Sequence, residues 1–188
     1  MKKSALKNNS FLFGKENSKL FFVIFIFIFF KWASVFSQTK TDVMKKAAQD
    51  SSKDIAIHQE VDFKVSPQKL YDALLSSKDF SASTKKSFSV FSENSATIDA
   101  ATGGVFRLFD GHIIGRILEL VPGRRIVEAW RVVDWPDGKY SIASFEISAR
   151  GSGTHLSFDH IGFPAGLKEH LSEGWKQHYW DALTNYFQ

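Results

Sequence analysis

Six histidines are the first residues in this chain that could do chemistry, and their spacing argues against a shared metal ion. His155 and Asp159 fall on one face of a strand-like segment, but four residues along a strand is about 13 Å. His160 points to the opposite face. His170 and His178 are eight apart in a helical segment, about 12 Å. Metal ligands must converge to within about 2 Å of one ion, and no pair here has that spacing. The chain has no cysteine, so thiolate nucleophiles, thiolate ligands and disulfides are excluded. No Gly-x-Ser-x-Gly elbow occurs, and Gly151-Ser152-Gly153 lacks the phosphate-loop pattern. What remains is a set of polar residues among apolar ones: His112, Glu128, Arg131, Glu146 and His160. Trp130 and Arg131 are adjacent, so they lie on opposite faces of one strand. An inward Arg131 would need a carboxylate, which Glu119, Glu128 or Glu146 could supply. The alternative, which the sequence favours, puts Arg131 and those glutamates on the solvent face as cross-strand pairs, because charged residues are seldom buried. His160 reads as a hydrogen-bonded core histidine and Asp110 as a residue that serves its turn. No catalytic residue, metal ligand or cofactor is assigned.

The elements that would position these residues are clear. Leu167, Leu171, Trp175, Tyr179, Leu183 and Phe187 recur at every fourth position, an apolar stripe over five helical turns that ends the chain. Gly174 interrupts it and costs about 1 kcal/mol against alanine in a helix interior. A kink, or close approach of the helix backbone to a sheet, is the expected reason. Asp54–Val65 alternates apolar and polar residues as a half-buried strand. Ser66-Pro67 then opens a helix, with serine as N-cap and proline at the first position. Lys78–Lys86 is a second short helix or a loop, and Ser87–Ala101 holds one or two short strands. From Gly103 onward, five segments rich in β-branched and aromatic residues alternate with tight-turn signals. They are Val105–Phe109, His112–Val121, Arg125–Trp135, Tyr140–Arg150 and Thr154–Phe163. Strands of this length curve, and Gly115 is the expected place for a kink or bulge that permits it. The order predicts an α+β helix-grip fold, a curved antiparallel β-sheet wrapped around a long C-terminal α-helix, over residues 54–188.

The first 37 residues differ in kind. Five lysines precede Leu20–Phe30, eleven consecutive apolar residues. Val35 and Ser37 then stand at positions −3 and −1 of a cleavage site before Gln38. Residues 1–37 are read as a signal peptide, or as an uncleaved N-terminal anchor with the domain outside, so the domain is expected to be exported, periplasmic or secreted. Residues 38–53 are a polar linker with a short helix at Asp42–Ala48. The leader carries six of the 24 basic residues and one of the 20 acidic ones, leaving 18 basic and 19 acidic in residues 38–188. The basic pI therefore belongs to the leader, and no nucleic-acid footprint is left in the domain. Contact with a membrane is expected only through the N-terminal segment, if it is uncleaved.

Residues 58–187 resemble a known family. The motifs are Ser66-Pro67-x-x-Leu70-Tyr71, Gly103-Gly104-x-Phe106-x-x-x-Asp110-Gly111, Leu120-Val121-Pro122, Ile126-Val127-x-x-Trp130-Arg131, Trp135-Pro136-x-Gly138, Gly162-x-Pro164 and Gly174-Trp175-x-x-x-Tyr179. In this order they resemble the C-terminal domain of the activator of Hsp90 ATPase (Aha1), within the START-like, Bet v 1-like (SRPBCC) superfamily. The resemblance implies the same helix-grip topology. It also implies either a cavity that takes apolar small molecules, as in the wider superfamily, or a chaperone-like protein partner. No Asn-rich stretch leading into Trp-His-Trp, the mark of the family's separate N-terminal domain, is present.

Three functions follow. The first is a non-enzymatic exported domain that binds a small apolar or amphipathic ligand between helix and sheet. Its lining would be Phe106, Leu108, Trp130, Phe145, Phe158, His160, Leu171, Trp175 and Tyr179. The second is an Hsp90 co-chaperone-like protein-interaction module, which needs an exposed apolar patch. The third is a cyclase or hydrolase built on inward polar residues such as Arg131, Glu146 and His160.

Overall fold

The structure, a computed structural model, describes Lys45, residues 55–85 and residues 95–188. The chain divides into two compact units, Met1–Gln49 and Asp50–Gln188, and every element named below belongs to the second. The leader and the linker helix lie outside the described residues, apart from Lys45, which is helical. Among the described residues no helix is long and apolar enough to cross a membrane.

Seven strands form one antiparallel sheet: β1 (Ala56–Phe63), β2 (Thr97–Ile98), β3 (Val105–Leu108), β4 (Ile113–Val121), β5 (Arg125–Val132), β6 (Ser141–Arg150) and β7 (Gly153–Ile161). Their order is β1-β7-β6-β5-β4-β3-β2. The strands from β3 to β7 are the meander expected from the turn signals, and β1 returns to pair with β7, Ile57 opposite His160 and Phe63 opposite Thr154. Period-two alternation sends Ile57 and Phe63, Ile113 and Ile117, Ile126 and Trp130, Phe145 and Ile147, and Leu156 and Phe158 to one buried face.

Helix α1 (Pro67–Leu75) starts as its sequence dictates, Ser66 Oγ accepting from the Lys69 amide at 3.3 Å. Ser76 repeats the device for α2 (Ser77–Thr84), accepting from the Asp79 amide at 3.1 Å. The C-terminal stripe forms α3 (Lys168–Trp175), a π turn (Lys176–Trp180) and α4 (Asp181–Tyr186). The π turn has a physical cause in the sequence. An α-helix repeats every 3.6 residues, so a strict spacing of four drifts by about 40° at each step. In the π turn the Asp181 amide donates to the Lys176 carbonyl, five residues back, and that extra residue takes up part of the drift. Residues five apart then lie one above the other, and Trp175 stacks on Trp180 with ring centroids 5.6 Å apart and planes 18° apart.

Two glycines can be compared with what was expected of them. The bulge in β4 falls between Ile117 and Glu119, putting Leu118 outward at 43 % exposure, and not at Gly115. Gly115 is instead demanded by packing: a Cβ there would lie 2.1 Å from Cζ of Phe106 and 2.3 Å from the Ala129 carbonyl oxygen. Gly174 makes no close approach, because a Cβ there would meet only Cδ2 of His178 at 4.0 Å. Gly115→Ala is therefore expected to destabilise the domain by about 2–3 kcal/mol through overpacking. Urea unfolding measures this, and an unchanged midpoint would show that the Phe106 ring can move aside.

Candidate functional site

Helix and sheet meet through a polar chain buried in an aromatic core. Trp175 Nε1 donates to His160 Nδ1 at 2.9 Å, so the neutral imidazole carries its proton on Nε2. His160 Nε2 lies 2.6 Å from Ser141 Oγ, and Ser141 Oγ donates to the Trp130 carbonyl at 2.9 Å. Every proton is thereby assigned: indole to imidazole, imidazole to hydroxyl, hydroxyl to carbonyl. The arrangement has the composition of a Ser–His nucleophile pair but the opposite polarity, with the histidine donating to the serine and unable to accept its proton. Burial, with no charged partner, lowers the His160 pKa to about 3. His160 is thus the hydrogen-bonded core histidine expected from the sequence.

The aromatic residues pack on one another. The Trp175 ring lies 4.3 Å from Phe158, 4.1 Å from Tyr179, 5.5 Å from Trp130 and 5.9 Å from Phe145. Trp180 Nε1 donates to Gln59 Oε1 at 2.6 Å, and Gln59 Nε2 donates to the Ser172 carbonyl at 2.9 Å, tying β1 to the helix. All nine residues expected to line a ligand cavity are buried on these facing surfaces. Only Trp130, Leu171, Trp175 and Tyr179 border the cavity that opens between helix and sheet. Phe106, Leu108, Phe145, Phe158 and His160 belong to the packed core. The cavity holds about 60 Å³, well below the roughly 300 Å³ at which small-molecule sites begin. It admits a few waters or a small fragment.

Its other walls were not among the expected lining residues. Phe109 and His112 come from the β3–β4 turn, and His170, Gly174 and His178 from the helix. Phe109 is wholly buried yet has φ 52°, and Asp110 follows at φ 55°. The left-handed region is unfavourable for an aromatic residue. Asp110 holds the turn in place by accepting from the Ser95 amide at 2.9 Å and from Ser95 Oγ at 2.7 Å. That backbone strain is not encoded in any pattern, whereas the glycine in mid-helix was a visible signal.

Of the other polar candidates, Arg131 does face outward, but under cover. It is 7 % exposed and donates to the carbonyls of Val132 at 3.2 Å, Val133 at 3.0 Å and Trp135 at 2.5 Å. Glu119 and Glu146 are outer-face partners of Arg125, at 3.6 Å and 3.1 Å. Glu128 departs from the solvent-face expectation. It sits between Ile126 and Trp130 on the inner face of β5, flanked in register by Ile117 and Ala143, both fully buried. The residue as a whole is half-buried, but it is the burial of the carboxyl itself that governs titration, pushing its pKa up to about 8. Burial also raises the pKa of Tyr179, and the charge of an ionised Glu128 would raise it further. A neutral acid inside an aromatic core can donate a hydrogen bond, but among the described residues it has no histidine or serine aimed at it.

These two buried groups make opposing contributions to the pH dependence of stability. Between pH 4.5 and about 8 the unfolded chain releases the Glu128 proton while the folded one keeps it, so stability falls as pH rises. Between about 3 and 6.5 the unfolded chain binds a proton at His160 that the folded one refuses, so stability falls as pH drops. Their contributions cancel between pH 4.5 and 6.5, where a plateau is expected. Glu128→Gln should remove the alkaline limb, gaining about 3 kcal/mol over the parent at pH 7 relative to pH 4. Urea unfolding across pH checks this, and parallel profiles for parent and variant would place the carboxyl in water.

The family model described as "Activator of Hsp90 ATPase homolog 1-like protein" matches residues 64–188. Activator of 90 kDa heat shock protein ATPase homolog 1 of Homo sapiens is 29 % identical over 125 residues, 66 % of this chain and 35 % of the relative. Homolog 2 of Mus musculus is 36 % identical over 90 residues, 47 % of this chain and 27 % of the relative. The chain thus spans about a third of the length of the curated relatives it matches. Among solved structures, an HSP90 activator from Plasmodium falciparum superposes with a TM-score of 0.60 at 26 % identity, covering 66 % of this chain and 90 % of that one. The seven-stranded sheet, the C-terminal helix laid across it and the match over residues 64–188 together show that this chain belongs to the activator of Hsp90 ATPase homolog 1-like family, with the START-like helix-grip fold.

Proposed function

We propose that this chain is a protein-interaction module of the Hsp90-activator kind, with a chaperone-like protein as its partner and no catalysis of its own. The observation that carries this reading is the family match over residues 64–188, with relatives named as activators of the 90 kDa heat shock protein ATPase. The exposed apolar residues Val105, Tyr140 and Ile161, each at least 44 % exposed, support it as surface a partner could cover. Against an enzyme stands the polarity of the Ser141–His160 pair, whose protons are already committed. The full chain added to purified Hsp90 should bind it in the presence of ATP and raise its ATPase rate. Absence of both effects would end this reading.

A second reading has its own support. Three locally unfavourable features, the left-handed Phe109, the helical Gly174 and the neighbouring π turn, converge on the cavity between helix and sheet. Such features gather where a site needs them. The cavity would take a small apolar or amphipathic molecule, the helix moving outward to admit it. We further read residues 1–37 as an export leader cut before Gln38, which would put the partner outside the compartment of cytosolic Hsp90, or else as a tether. Native mass spectrometry of the protein from its own source tests both points. A mass beginning at Gln38 is expected for export, and a small-molecule adduct for the cavity. A full-length mass excludes cleavage, and a bare mass removes the ligand.

A further inference from the structure

The outer face of the sheet takes no part in the aromatic core or its cavity. One row of side chains crosses this face at right angles to the strands. Register places Val105 beside Arg116, Arg116 beside Ala129, Ala129 beside Ile142, and Ile142 beside Ile161. The row spans five strands, and its ends, Val105 and Ile161, are 52 % and 50 % exposed. The solvated face of an antiparallel sheet ordinarily alternates to polar residues, so four apolar side chains in one cross-strand row are an exception. Beside β3, β4 and β5 the row opens into a surface groove of about 470 Å³ lined by Val105, Arg107, Ile114, Arg116, Ala129 and Tyr140. Among the described residues lining this groove there is no carboxylate. The Arg116 guanidinium donates to the Gly103 carbonyl and Arg131 to three carbonyls, contacts that orient the cations without neutralising them.

Asp99 borders the row at its β2 end, where its amide donates to the Val105 carbonyl, but it does not line the groove; the other acids of the strands on this face are matched. Asp62 and Asp159 pair with His155, Arg150 and His58 at the β1–β7 edge, and Glu119 and Glu146 pair with Arg125. The groove is therefore apolar along its length and cationic along its border. An anionic membrane or a nucleic acid would be drawn by net positive charge, but residues 38–188 carry 18 basic and 19 acidic residues. A protein segment with carboxylates to meet Arg107 and Arg116, and apolar side chains between them to cover Val105, Ile114 and Ala129, fits both features.

We propose that this arginine-bordered row is the docking face for an acidic, apolar-bearing segment of the partner protein. The proposal rests on the interaction-module reading above and adds where the partner sits and what its chemistry is. The probe is a fluorescein-labelled peptide alternating glutamate and leucine, titrated with the full chain and followed by anisotropy. Binding should weaken tenfold or more in the Arg107→Glu/Arg116→Glu double variant, and a lysine–leucine peptide should bind that variant in place of the parent. Both arginines are exposed, so the fold should survive, with an unchanged melting curve. Val105→Asp, also exposed, should weaken binding of the glutamate peptide without the charge swap. Equal binding of both peptides to the parent would overturn the proposal, as would unchanged affinity in the double variant. Binding to phosphatidylserine vesicles with none to the peptide would overturn it in favour of a lipid surface. If the double variant still engages Hsp90 as the parent does, the docking face fails and the chaperone reading stands. If the charge swap works while the parent ignores Hsp90, the chaperone reading fails and the face stands.

Discussion

The indole N–H of Trp175 is the contact on which the domain's architecture turns. A sheet and a helix with apolar faces will associate by burial alone, but burial is non-directional and leaves register open. The bond from Trp175 to His160, continued through Ser141 to the Trp130 carbonyl, removes that freedom. Each group in the chain has one acceptable partner, and a helix displaced by one residue would strand an indole or an imidazole in an aromatic interior. An unsatisfied buried polar group costs roughly 1–3 kcal/mol, a large part of the net stability of a domain this size. The network therefore selects one docking of the helix among several that would bury similar area.

The π turn follows from the same requirement. Trp175 must reach His160 and Trp180 must reach Gln59 on β1, although the two tryptophans are five residues apart. An uninterrupted α-helix would point them in different directions. Widening one turn stacks them and lets both indoles donate to sheet residues on β7 and β1. This closure fills most of the space that a helix-grip fold could leave open, and the void that remains lies toward the β3–β4 turn. Helix and sheet are here held nearly shut by their own aromatic residues.

Two buried ionisable groups accompany this closure and oppose each other. His160 is neutral because it is buried and its nitrogens are engaged. Glu128 is protonated because nothing cationic faces it on the inner side of β5. The first makes the fold lose stability in acid and the second makes it lose stability in base. The outer face has the reverse character, with Glu119, Glu146, Asp62 and Asp159 all matched by basic partners. Beside the exposed apolar row, Arg107 and Arg116 pair with no carboxylate among the described residues, so this charge asymmetry is local and invisible in the net charge.

The sequence by itself determined the scaffold. Period two over Ile57–Val65, serine and proline at the head of α1, and glycine-marked turns between β-branched runs dictate strand, helix and meander, because each depends on residues close along the chain. The aromatic stripe marked Trp175 and Tyr179 as residues of the helix–sheet contact for the same reason, although it read as one unbroken helix and the π turn appeared only in the structure. What only the tertiary structure decided depends on residues far apart. Alternation says that Trp130 and Arg131 face opposite ways, but only the sheet's packing says which is inside. It sends Trp130 inward, and with it, two residues earlier, Glu128. Covering Arg131 with the carbonyls of its own turn, leaving Phe109 in a left-handed conformation, and giving Gly115 to the Phe106 ring are likewise outcomes of three-dimensional neighbours. They follow from steric and dielectric surroundings that no local pattern of residues records.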